Sequence, residues 1–134
     1  MHAELVQALS TQRPQIVTRW GTYLRLQPVV SALARPDTLM FGVDAVLDEV
    51  IARLNRPPAK RPVRRWADNF CGRNPLRAFY ATGEQALLET LVGVQTSLGR
   101  TVPRERTAAL EELRQAIRAV ARRDLEGLAS LCRT

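Results

Sequence analysis

Apolar residues recur at steps of three and four along most of the chain, the spacing that places them on one face of an α-helix. Leu5, Val6 and Leu9 predict a short first helix. Ile16, Val17, Trp20, Tyr23 and Leu24 predict a second. Pro14 suits its first turn, where a missing N–H leaves no helical hydrogen bond unmade, and Pro28 stops the run. The clearest stripe is Leu39, Met40, Val43, Val46, Leu47, Val50, Ile51 and Leu54, with Asp37 placed to cap it. Leu87, Leu88, Leu91, Val92, Val94 and Leu98 carry a further helix to Gly99, a natural left-handed stop. A last helix opens at Thr101 or Val102 with Pro103 and buries Leu110, Leu113, Ile117, Val120, Leu125, Leu128 and Leu131. It should run for about 28 residues, on the order of 40 Å. Period-2 alternation and hairpin-turn dipeptides are missing. The pattern predicts an all-α, single-domain bundle of four to five principal helices with a long C-terminal helix, residues 1–134 forming one unit.

Two stretches interrupt this rhythm. Residues 55–66 hold three prolines and read as an internal Pro/Arg-rich loop. Residues 69–89, NFCGRNPLRAFYATGEQALLE, hold a cysteine, two glycines, adjacent aromatics and a Thr-Gly-Glu-Gln run. As helix punctuation, Asn74 caps a helix, Pro75 fills its first position, and Leu76, Phe79 and Tyr80 make one apolar turn. Thr82 and Gln85 then match a capping box, with Gly83 marking either a break or a close helix contact. As a site, Cys71 precedes a helix start, where free N–H groups and neighbouring Arg73 would favour its thiolate.

Composition narrows the chemistry. The chain of 134 residues is 46% hydrophobic and 25% charged, as soluble globular proteins are. It has no run of 18 apolar residues and no secretion signal at its start, so a cytoplasmic location is expected. The only histidine is His2, and the two cysteines, Cys71 and Cys132, stand far apart without a partner motif. A Cys–His or Ser–His dyad therefore lacks its base, and most zinc and haem sites lack ligands. Glu84 and Glu89 fall on different faces of one helix, and Glu105, Glu111, Glu112, Asp124 and Glu126 read as solvated helix surface. Neither enzymatic activity nor a cofactor nor a metal is expected.

Charge adds a positive expectation. Twenty basic and thirteen acidic residues give a net charge of +7. Between Val50 and Ala67 stand six basic residues and no acid: Arg53, Arg56, Lys60, Arg61, Arg64 and Arg65, with Trp66 directly after. These residues, with Arg73, are the candidate partner-binding set. Arginine and tryptophan anchor protein interfaces, and the same run could hold nucleic acid or an anionic membrane surface. A pocket for a small molecule would draw on Trp20, Tyr23, Trp66, Phe79 and Tyr80, and a redox sensor would centre on Cys71. The aromatics Trp20 and Tyr23 also share a stripe with Ile16 and Leu24, which favours core for them.

The order of three segments, IVTRW, then LMFGVDAVLDEVIARL, then GEQALLETLVGVQTSL before a long amphipathic helix, resembles the RsbRD-like N-terminal helical sensor domain of RsbT co-antagonist proteins. Arg19 and Trp20 match the Arg-Trp found near the first long helix of such domains. The resemblance implies a non-catalytic regulatory module of bacterial signalling that docks a partner protein or self-associates, a homodimer being one form of the latter. It brings no catalytic residues with it. The chain departs from the family's usual context in carrying no transmitter, kinase or STAS-like domain.

Overall fold

A computed structural model describes residues 1–27, 35–56, 75–99 and 102–132, with side chains placed up to Asp124 in the last helix. Helix α1 spans Ala3–Thr11, α2 Arg13–Arg25, α3 Pro36–Leu39, α4 Val43–Leu54, α5 Pro75–Leu98 and α6 Pro103–Cys132. Among the described residues there is no strand, and the fold is the all-α bundle that the hydrophobic stripes predict.

The long helices α5 and α6 form the spine. Gly99 turns the chain out of α5 at φ 63°, the left-handed conformation that glycine adopts without Cβ strain. Beside this turn, buried Gln95 donates from Nε2 to the Arg106 carbonyl at 3.1 Å. Arg106 returns a bond from Nη2 to the Gln95 carbonyl at 3.2 Å. Helices α1 and α2 pack on α5, and α4 packs on α6. The stripes meet in one core of Leu9, Ile16, Trp20, Leu47, Val50, Leu54, Leu87, Leu91, Leu113, Ile117 and Val120.

Three expectations at helix ends are corrected. Asp37 is not the cap of one long helix: Pro36 already opens α3, and a 3₁₀ turn, Met40–Gly42, intervenes before α4. Asp37 lies instead in the first turn of α3, 3.8 Å from Arg25. Thr82 is not a cap, because α5 is continuous from Pro75 to Leu98. Its buried hydroxyl donates to the Ala78 carbonyl at 2.7 Å, within the helix. Gln85 reaches forward to Glu89 at 3.2 Å rather than back to Thr82. Of the two readings of Gly83, the close contact holds and the break does not. A Cβ there would lie 2.3 Å from the Trp20 ring, so the indole lies directly over the helix backbone.

Candidate functional site

The aromatic cluster is built on that approach of α2 to α5. Trp20 is fully buried and donates from Nε1 to the Phe79 carbonyl at 2.8 Å. Its ring stands 4.8 Å from that of Phe79, which meets Tyr80 edge-on at 5.1 Å. Trp20, Phe79 and Tyr80 are thus closed core with their polar atoms satisfied, and they line none of the grooves described below. Tyr23 differs. It is only partly buried, its hydroxyl donates to Glu89, and it borders an open groove.

Several acids expected to be solvated surface are engaged within the bundle. The Tyr80 hydroxyl donates to Asp124, which also accepts from Arg123 at 3.2 Å. Arg123 reaches across to Glu49 on α4, its Nη2 at 2.8 Å. Glu84 accepts from Arg118 at 2.9 Å and lies 3.5 Å from Arg114, pinning α5 to α6. Glu111 pairs with Arg114, and Glu112 accepts from the Met1 nitrogen. Arg13 joins α2 to α4 through Asp48 at 2.8 Å and Asp44 at 3.3 Å. Burial, then the bond to Asp124, pushes the Tyr80 phenol well above its ordinary range. The bond from Gln115 and then the Arg114 guanidinium hold the Glu111 carboxyl below its usual value.

The predicted partner-binding set divides. Arg53, on the last turn of α4, lies 3.7 Å from Glu49 and is about one-third exposed, so the bundle's own carboxylate in part neutralises it. Arg56 follows the helix and is exposed. Lys60, Arg61, Arg64, Arg65, Trp66, Cys71 and Arg73 lie outside the described residues.

A feature the sequence reading missed lies along the seam of α2 and α5. Arg19, half-buried, stands at the meeting of two surface grooves. One, of about 540 Å³, runs between α2 and α5 under the end of α1; Gln12, Gln15, Arg19, Thr90, Gly93 and Ser97 line much of it. The other, of about 430 Å³, is bordered by Tyr23, Leu88, Glu89, Val92, Leu110 and Arg114. Arg19 donates from Nη1 to the Thr90 hydroxyl at 3.3 Å and makes no ion pair among the described residues. Sequence offered only the Arg-Trp pair as a signal here, since periodicity cannot show which surface arginine finds no carboxylate.

Among the described residues no three of His, Cys, Asp and Glu come together as a metal site, and no helix is long and apolar enough to cross a membrane. No family model, curated protein or solved structure matches the chain.

Proposed function

We propose that the protein is a non-catalytic regulatory module of bacterial signalling that docks a partner protein with an acidic surface through its Arg-rich connector. The observation that carries this reading is the uneven use of charge. Most acidic side chains of the helical body already hold an arginine, a tyrosine or an amine of the same body. The stretch from Val50 to Ala67 contributes six basic residues and no acid. A positive excess concentrated in one connector steers an acidic surface toward it, and Trp66 beside the charges supplies an anchor of the type that dominates interface energies. Half-exposed Val92, with partly buried Leu88 and Leu110, gives an apolar edge on the long helices that can add contact area.

Affinity capture from a nuclease-treated lysate of the source organism tests this. Wild-type chain should retain a discrete protein that R61E/R64E/R65E does not. Equal retention by the charge-reversed chain would contradict the role of the connector. Capture that disappears on nuclease treatment would replace the protein partner with nucleic acid, whose binding falls steeply with salt.

A further inference from the structure

We infer that the groove between α2 and α5 is a binding site for an organic monocarboxylate, with Arg19 as the group that holds the acid. This goes beyond the connector reading and does not depend on it, since the two surfaces share no residue.

The first support is charge. Arg19 is the one charged side chain lining the 540 Å³ groove, and no carboxylate lines it. Glu89 borders only the neighbouring groove, where Tyr23 and Gln85 donate to it. The bond to Thr90 uses one Nη of the guanidinium and orients it, because the Thr90 hydroxyl is itself fixed by donating to the Ala86 carbonyl at 2.8 Å. The remaining N–H donors have no partner among the described residues, and a planar fork of that kind matches a carboxylate. A single guanidinium balances one negative charge; a phosphate dianion would call for a second cation.

The second support is Gly93. It sits within the 24-residue helix α5, where glycine weakens a helix relative to alanine. Gly83 is forced by the Trp20 ring and Gly99 by its backbone angle. Gly93 has neither reason, for a Cβ there would meet nothing within 4 Å. What its missing side chain does is leave the groove open.

Size and lining then define the ligand. The groove lies within the 300–1,000 Å³ span of small-molecule sites. From Thr90 to Ser97 the helix rises about 10 Å. Along that length Gln12, Gln15 and Ser97 offer amide and hydroxyl groups, and Val94 and Leu98 offer apolar surface. A carboxylate with a short body carrying one or two amides fits, whether as a free acylated amino acid or as the C-terminus of a peptide.

Titrating the isotopically labelled full chain with N-acetylglycylalanine, followed by NMR, tests the assignment. Saturable shifts should appear at Arg19 Nε and at the amides of residues 12, 13, 15–19 and 90–97. The C-terminal amide of the same dipeptide should produce none. R19Q should weaken binding about tenfold or more, as expected for loss of a charge-assisted pair. G93L should abolish binding while leaving the circular dichroism and melting temperature undiminished, and R104Q, on the exposed start of α6, should bind as wild type does. Hexanoate in place of the dipeptide tests what the amides contribute. Preference for the dipeptide shows that Gln12, Gln15 and Ser97 read the amides as well as the acid, and equal binding shows that Arg19 alone selects the ligand. Equal shifts with acid and amide, or undiminished binding in R19Q and G93L, would overturn the assignment.

Discussion

Two glycines of α5 make opposite predictions at the scale of single residues. Replacing Gly83 by alanine puts a methyl group 2.3 Å from the Trp20 ring. Overpacking of this kind costs about 1–3 kcal/mol, more than the helix propensity that alanine contributes. Replacing Gly93 by alanine meets open space and should stabilise the fold by about 0.5–1 kcal/mol. Urea midpoints should therefore move down for G83A and up for G93A, and movement in the same direction would refute the packing described here. Sequence alone left Gly83 as either a break or a close contact and gave Gly93 no role. The difference lies in what α2 brings against each, a tertiary fact. The same limit explains Thr82, which has the spacing of a cap yet hydrogen-bonds within a continuous helix.

Between elements, polar contacts fasten what the apolar stripes bring together. Tyr80 on α5, Asp124 and Arg123 on α6 and Glu49 on α4 form one chain of contacts. The phenol of Tyr80 titrates above its ordinary value in the folded state, so its contribution is complete below the unfolded value near 10. Above about pH 10 an unfolded tyrosine loses its proton while the folded one keeps it. Stability then falls as pH rises, by up to about 1.4 kcal/mol per pH unit from this group. Y80F should flatten that alkaline loss in denaturation curves recorded from pH 9 to 11. A decline as steep as the wild type's would show that Tyr80 is not its source. Glu84 offers a second check. It lies 13% exposed between Arg118 and Arg114, so E84L leaves two guanidiniums near the helix seam without their shared acid. A cost of about 1–3 kcal/mol is expected, with most of it recovered in E84Q if hydrogen bonding rather than charge dominates. Helix positions were legible because each stripe repeats at helical spacing. These cross-links were not, since the acids involved stand on the polar faces that periodicity assigns to solvent.

For the molecule as a whole, the hydrophobic pattern determines a bundle, and the charge pattern is what the proposed docking role rests on. Gly99 and Pro103, both readable as punctuation, place α5 against α6, and the stripes of α1, α2 and α4 leave them little choice of partner. The proposed function was legible only as an excess of arginine, because a binding surface needs no periodicity and leaves no repeated mark in a single sequence. The account therefore rests on where a partner touches the chain. Site-specific photocrosslinking measures this directly. A photoreactive residue placed singly at Arg56, Arg64 or Trp66 should yield a covalent adduct with one acidic protein in a lysate of the source organism. The same residue at Arg104 or Glu105, at the other end of the α6 sequence from Asp124, should yield none. Adducts at the α6 positions with none at 56, 64 and 66 would contradict the account.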